Sequence, residues 1–391
     1  MKIDTEGTYT LRYTAEDECG NVTTEDRTVN AINITYSTVL FTDGTFIINE
    51  KSTDRDANIA LHGAVTNEYI PLNINGSTAT DQYRFSSAAL RPWHAQRSSI
   101  KFVEFGSLVK PTQLANWFNG CSNLETFNAE NLDTSDNTTM SSTFNGCYKL
   151  ASIDTSAFKT SKVTRLDNTF RSCQALTAID VSMWDTRNVE TVSNMFDGCS
   201  ALATANVNGL VTSATTDFNY VFAECSALKT VDVSSWDTSN VTTLYGAFYY
   251  SGIETIDISA WNTAKVDNFG QMFKRCGSLT SMNLGTMDTS NGTRFTEMFA
   301  YLTMTALDVS SFDTSKATNM SQMFYECRSL VTIYASNKFT TNLVTSSTEM
   351  FRFCSALVGG AGTRKIGNPE DKTYARIDNP PDAPGYFTAK S

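Results

Sequence analysis

Eight of the nine cysteines stand in one slot of a recurring phrase. Cys121, Cys147, Cys173, Cys199, Cys225, Cys276, Cys327 and Cys354 each follow a phenylalanine by three residues. Thiols repeated in this way could hold a metal, form a ladder of disulfides or fill a packed core. A zinc site needs ligands that converge from paired positions such as C-x2-C. No such pair occurs, and both histidines, His62 and His94, lie outside the repeats. Disulfides between neighbouring units are harder to dismiss, because stacked Cα atoms about 4.8 Å apart fall inside the permitted window. Parallel, in-register side chains, however, rarely aim their Cβ atoms as a disulfide requires. We therefore read the eight cysteines as an inward-facing ladder of small core thiols, with some disulfides as the first alternative and a metal as the second. No cofactor is expected.

Two further sets of residues could carry a function. Aligning the units places Asn128, Asp154, Asp180, Asn206, Asp232, Asp257, Asn283, Asp308 and Tyr334 in one column, beside a column of mainly small polar residues. Adjacent carboxylates repel, so Asp180, Asp232, Asp257 and Asp308 suggest cation binding or recognition of a basic or polyhydroxyl ligand. The plainer reading, which we favour, is that each aspartate caps its own turn. Tyr249, Tyr250, Tyr301 and Tyr325 follow the motif phenylalanines of nearby units, with Tyr245 close by. Tyrosines on an exposed edge give large, rigid contact area at low entropic cost; scattered surface aromatics are the bland alternative.

These residues are positioned by a repeat. The motif phenylalanines are Phe118, Phe144, Phe170, Phe196, Phe222, Phe248, Phe273, Phe299, Phe324 and Phe351, at intervals of 25 to 27 residues. In "LTAIDVSMWDTRNV" (176–189), Leu176, Ile179 and Val181 have the spacing of a leucine-rich strand. In "TVSNMF", Val192, Met195 and Phe196 at i, i+3 and i+4 predict one face of a helical turn. The expected fold is a repeat α/β solenoid: a leucine-rich-repeat-like, right-handed stack of about ten strand–turn–short-helix units, roughly 45 Å long. Two units lack the cysteine and carry Ser251 or Leu302, and these are the two that are one residue short. A small filler under a tight turn explains that coupling.

The phrases "SMWDTRNVETVSNMFDGCSAL", "SSWDTSNVTTLYGAFYYSGI" and "SSFDTSKATNMSQMFYECRSL" resemble the BspA-type leucine-rich repeats of bacterial surface proteins. The resemblance covers about residues 108–357 and recurs about ten times, although "GLVTSATTDF" (209–218) and "NKFTTNLV" (337–344) depart from the Asp-Thr-Ser turn. It implies an extracellular or surface-exposed adhesion or recognition module without catalytic residues.

The remaining segments divide the chain. Residues 1–35 contain "TYTLRYTAEDECGNVTTEDRTV", an alternating hairpin similar to the last two strands of a bacterial immunoglobulin-like domain, with Cys19 in its turn. Two strands alone are marginal in water, so we expect the end of a domain that has been cut away, with packing on the solenoid or completion by a partner chain as alternatives. Residues 36–107 are read as an N-terminal cap containing strands, with Trp93 in its core and His94 a surface or cap residue rather than a ligand. The repeats occupy 108–357. Residues 358–391, with "GGAG", "NPP" and "APG", are read as the C-terminal cap.

The balance of 30 Lys+Arg against 41 Asp+Glu, net −11, argues against a nucleic-acid partner. No stretch approaches a membrane span, and "MKIDTEGTYT" lacks the pattern of a secretory signal. The repeats hold no histidine, no nucleophile elbow and no phosphate loop. We expect a non-catalytic module on a cell or virion surface that binds a protein or carbohydrate receptor. A bacteriophage fibre or receptor-binding protein is the first alternative, and a structural spacer without a ligand is the second.

Overall fold

The computed structural model describes residues 7–16, 22–31, 36–51, 60–62, 65–69, 93–106 and 108–390. Strands β1 (Gly7–Glu16) and β2 (Val22–Ala31) pair antiparallel, Gly7 opposite Ala31 and Glu16 opposite Val22. The turn expected between them, with Cys19, lies outside the described residues. Strands β3 (Tyr36–Phe41), β4 (Thr45–Lys51), β5 (Val65–Tyr69), β6 (Phe102–Phe105) and β7 (Thr126–Phe127) form a sheet ordered β5-β3-β4-β6-β7. Strand β3 pairs antiparallel with β4 and β5, whereas β6 and β7 add in parallel, so this sheet leads directly into the repeats. Against it, buried Trp93 meets Phe46 at 5.3 Å and Trp117 at 6.2 Å between ring centroids. The Trp93 indole N–H donates to the Trp117 carbonyl at 2.9 Å, so the first repeat's core is closed by aromatic packing with its polar atom satisfied.

Within the repeats the sheets are small and parallel. Strands β8 (Ala178–Asp180) and β9 (Thr204–Asn206) form one pair, and β10 (Thr255–Asp257) and β11 (Ser281–Asn283) another. Strands β12 (Ala306–Asp308), β13 (Thr332–Ala335) and β14 (Phe387–Ala389) form a third sheet, through which the C-terminal segment joins the last units. The strands are short because an Asx turn follows at once. The Asp180 carboxylate accepts the Ser182 N–H at 2.9 Å, removing a donor from the ladder. Elsewhere in the unit, isolated parallel bridges run Thr139, Arg165, Thr191, Asp217, Thr243, Asn268, Arg294, Asn319, Ser346.

The expected leucine-rich-repeat-like solenoid of strand–turn–short-helix units is therefore corrected. No residue of 108–357 is helical, and the described helical segments are residues 60–62 and the 3-10 turns His94–Ser99 and Lys372–Tyr374. The chain is a set of short strands and tight turns with small parallel and mixed sheets.

The cause is visible around Phe196. The N–H groups of Met195, Asp197 and Cys199 bond three residues back, to the carbonyls of Val192, Asn194 and Phe196. Those of Asn194, Phe196 and Gly198 instead bond to Asn219, Val221 and Ala223 of the next unit. A helix would keep every one of these donors within its own segment. The alternation is enforced by left-handed residues two before and two after the phenylalanine, Asn194 at φ 56° and Gly198 at φ 75°, a conformation that no α-helix contains. The i, i+3, i+4 apolar spacing still turns one face inward, because three-residue turns and helical turns bury nearly the same positions.

The core is continuous from Leu40 to Phe387. Each motif phenylalanine stacks on the next at 5.4 to 6.1 Å between centroids. At about 25 cal/mol per Å2 of apolar surface, each buried ring contributes roughly 2–3 kcal/mol. A buried threonine row stitches the turns: Thr186, Thr238, Thr263, Thr289 and Thr314 each donate a hydroxyl to a carbonyl of the following unit at 2.7 to 3.0 Å.

All eight described cysteines are buried free thiols. From Cys147 onward each donates its S–H to the motif phenylalanine carbonyl of the preceding unit, at 2.8 to 3.2 Å. For Phe118, Phe144, Phe170, Phe196, Phe248 and Phe324 that carbonyl already accepts the N–H three residues on within its own unit, so the thiol fills its second lone pair. Burial pushes the Cys199 and Cys276 thiols up to about 12, which keeps them neutral and poor nucleophiles.

In the short unit at Phe248 the slot holds Ser251, whose hydroxyl lies 3.6 Å from the Cys276 sulfur. Gly252 follows it. A Cβ there would stand 2.0 Å from the Ser226 carbonyl oxygen, so the lost residue draws the turn tight against the preceding unit.

Candidate functional site

The two positions that break the helix also build the most distinctive surface. Two residues after the motif phenylalanine, every unit is left-handed. The first four units place Gly120, Gly146, Ser172 and Gly198 there, and the remaining six place Glu224, Tyr250, Arg275, Tyr301, Glu326 and Phe353, at φ 55° to 66°. Two residues before it the division is similar, with Gly246 as the exception. Asn116, Ser142, Asn168 and Asn194 are followed in chain order by Tyr220, Gly246, Gln271, Glu297, Gln322 and Glu349. Glycine and asparagine enter this region cheaply, whereas other side chains cost roughly 1–2 kcal/mol each. The C-terminal six units thus carry more backbone strain than the first four, where only Ser142 and Ser172 are neither glycine nor asparagine.

Those bulky residues meet. The Tyr220 ring lies edge-on to Tyr245 at 5.3 Å and to Tyr249 at 6.2 Å, and Tyr249 contacts Tyr250 at 6.2 Å. Gly246 makes room for this, since a Cβ there would stand 2.4 Å from the Tyr220 ring. The Arg275 guanidinium sits 5.8 Å from the Tyr250 centroid and 4.3 Å from that of Tyr301. Tyr301 packs edge-on against Tyr325 at 5.4 Å, and Tyr325 against Phe353 at 5.7 Å. Arg328 and Arg352 lie over the Phe353 ring at 5.2 and 4.8 Å. The result is an unbroken aromatic and cationic stripe across six units. Tyr250 is 49 % exposed and Phe353 38 %.

Polar contacts hold the stripe in place. Lys274 pairs with Glu297 at 2.6 Å, and the Gln271 amide donates to the same carboxylate at 2.5 Å. Arg328 pairs with Glu326 at 2.6 Å. The Gln322 amide donates to Glu349 at 2.7 Å, and Arg352 pairs with the same residue; these two contacts hold the Glu349 carboxyl below its usual range. Burial, then the neighbouring Tyr245, pushes the Tyr220 phenol up. Between units the stripe leaves a shallow depression of about 360 Å3, lined by Ser200, Glu224, Ser226, Tyr249, Tyr250 and Arg275.

All five sequence-predicted tyrosines, Tyr245, Tyr249, Tyr250, Tyr301 and Tyr325, belong to this stripe. Tyr220, Arg275 and Phe353 were not anticipated. Tyr220 precedes its phenylalanine, and Arg275 and Phe353 differ in type from the tyrosines, although both occupy the slot that Tyr250 and Tyr301 mark.

The four aspartates lie elsewhere in the unit. Asp180 and Asp257 end β8 and β10, each accepting the N–H of the serine two residues on at 2.9 Å and an asparagine amide of the next unit, from Asn206 and Asn283, at 3.0 Å. Asp232 accepts the N–H and hydroxyl of Ser234 at 3.0 and 2.7 Å. Asp308 accepts the Ser310 N–H at 3.0 Å and pairs with Lys390. Serine hydrogen bonds lower the Asp180, Asp232 and Asp257 carboxyls, and for Asp308 the Lys390 and Ser310 bonds outweigh burial. These are turn-capping carboxylates held ionised. Among the described residues, no three of His, Cys, Asp and Glu converge as metal ligands would.

Residues 112–231, 203–283 and 250–359 match the family described as "Mycoplasma protein of unknown function, DUF285". Together the matches run without a gap through more than half of the chain. No curated protein and no solved structure matches it.

Proposed function

The chain belongs to the DUF285 family, and from that premise we propose that it is a non-catalytic recognition module, displayed on a surface, that binds a protein or glycan receptor on another cell or host. The observation that carries this reading is the strained stripe from Tyr220 to Phe353. Large aromatic side chains stand at left-handed positions where the first four units use glycine or serine. Glycine would meet the backbone demand there without strain, so the bulky side chains point to a role in contact. Rigid aromatics interleaved with arginine are the composition of binding hot spots.

Two further features fit a module without chemistry of its own. The core thiols are neutral and buried, and the strand-face carboxylates are tied to neighbouring serines.

The test is binding of the purified chain to a panel of bacterial cells, host matrix proteins and glycans, beside a Tyr249→Ala/Tyr250→Ala variant. Saturable binding reduced at least tenfold by the variant is the expected result. Binding that the variant retains in full would move attention to the aspartate face, and no binding to any member would make a ligand-free spacer the better account.

A further inference from the structure

Resting on that reading, we propose that the stripe is a platform for an extended, neutral, β-linked polysaccharide, and that the depression between Glu224 and Arg275 holds one of its sugar rings. The lining of the depression has the chemistry of a sugar subsite. Tyr249 and Tyr250 line it with aromatic surface that suits the C–H face of a pyranose. Glu224, Arg275, Ser200 and Ser226 surround them with acceptors and donors for its hydroxyls. Charged groups at either end, one of each sign, suit vicinal hydroxyls better than they suit a net charge.

The periodicity points the same way. Along the slot two residues after the phenylalanine, the C-terminal units read Glu224, Tyr250, Arg275, Tyr301, Glu326, Phe353. Aromatic rings thus recur on every second unit, and between them stand charged side chains. Two units advance by roughly 10 Å at the spacing of stacked strands. An extended β-linked chain advances by about one strand spacing per ring and turns the same face outward on every second ring. Its alternate sugars would therefore meet Tyr250, Tyr301 and Phe353 in step, with Arg275 and Glu326 facing the rings between.

Two other ligand classes fit less well. A peptide that adds as a strand needs open backbone donors, but here they are taken. The N–H groups of Glu224, Tyr250, Arg275, Tyr301 and Glu326 all donate to carbonyls of the following unit at 2.7 to 2.9 Å. A cationic ligand would be repelled by Lys274, Arg275, Arg328 and Arg352, which already stand beside the rings of the stripe.

The experiment is calorimetric titration of the whole chain with neutral β-1,4-linked oligosaccharides of two, four and six rings, and with a uronate hexamer of the same length. The expected result is binding that tightens at least tenfold from two rings to six and exceeds that of the uronate. Tyr250→Gly should weaken the hexamer at least tenfold, and Phe353→Gly should remove most of the gain from four rings to six. Both substitutions introduce glycine at a left-handed position, and thermal melts of each variant verify that it folds. Tighter binding of the uronate, or no dependence on length, overturns the proposal. So does absence of oligosaccharide binding while capture by cells or matrix protein still depends on Tyr249 and Tyr250; that outcome leaves the recognition reading intact with a protein receptor. Loss of both forms of binding overturns the two together.

Discussion

The four units around Phe118, Phe144, Phe170 and Phe196 and the six that follow share one backbone and differ in what it displays. In the first group the left-handed positions hold Asn116 and Gly120, Ser142 and Gly146, Asn168 and Ser172, Asn194 and Gly198. In the second they hold residues such as Tyr220, Glu224, Tyr250, Arg275, Tyr301 and Phe353 at nearly the same φ. The phenylalanine stack, the thiol ladder and the threonine row run through both groups. The core is therefore indifferent to the change, and the cost falls on the surface turns alone. A backbone that needs left-handed turns fixes φ at these positions but not the side chain, and the C-terminal units use that freedom to build a contact surface.

The comparison can be broken first in the core. Phe170→Ala and Phe273→Ala should each cost about 3–5 kcal/mol in urea unfolding, because both rings are fully buried between stacked neighbours. A difference between them larger than about 2 kcal/mol would mean that the two regions do not share one core.

Cys199→Ala and Cys276→Ala should follow at about 1–2 kcal/mol each, from a small cavity and a lost S–H donor. In the native protein both thiols should react with an aromatic disulfide reagent only as fast as the chain opens. Prompt labelling of Cys276 with slow labelling of Cys199 would expose a looser C-terminal region.

The left-handed slot gives the sharpest contrast. Gly198→Tyr should cost about 1–2 kcal/mol, with its Cβ already 3.2 Å from the Ser172 hydroxyl. Tyr250→Gly should change stability by less than about 1 kcal/mol, because relief of strain offsets the entropy of an unfolded glycine. A melt in which Tyr250→Gly is the more damaging of the two would show that the stripe holds the fold together.

The smallest effect is with pH. Asp180, Asp232 and Asp257 have carboxyls lowered by their serine hydrogen bonds. Their contribution is complete above the unfolded carboxylate value, near 3.9, and is lost as pH falls through the lowered folded values. Asp197 and Asp217, raised by burial, act in the opposite sense and favour the folded state as they take up protons. The lowered group is the larger, so the urea midpoint should drop below about pH 4, and Asp257→Asn should shallow that drop. An unchanged slope would mean that the Asx turn adds nothing measurable.

Much of this arrangement can be read from the residues themselves. The period, the motif phenylalanines, the cysteine slot and the inward Ile179 and Val181 follow from spacing, and so do the five tyrosines as a group. The helix does not, because Val192, Met195 and Phe196 have the same spacing in a string of tight turns as in a helical turn. The signal against it is the pair Asn194 and Gly198 flanking Phe196, two residues suited to φ above zero. In the later units Gln271 and Arg275, or Glu297 and Tyr301, hide that signal behind side chains that favour helices or sheets. Arg275 is the keystone of the stripe, yet in sequence it is one charged residue among many. Only the parallel register, one unit laid on the next, brings it between Tyr250 and Tyr301.

The central claim is that the strained side chains serve contact rather than fold. Its most direct test is a Tyr250→Gly/Tyr301→Gly/Phe353→Gly variant, assayed for capture by the cell, matrix-protein and glycan panel and melted beside the unaltered chain. The account predicts a melting temperature within a few degrees of the original and capture reduced by at least tenfold. Capture that persists in a well-folded variant, or a collapse in stability, would contradict it.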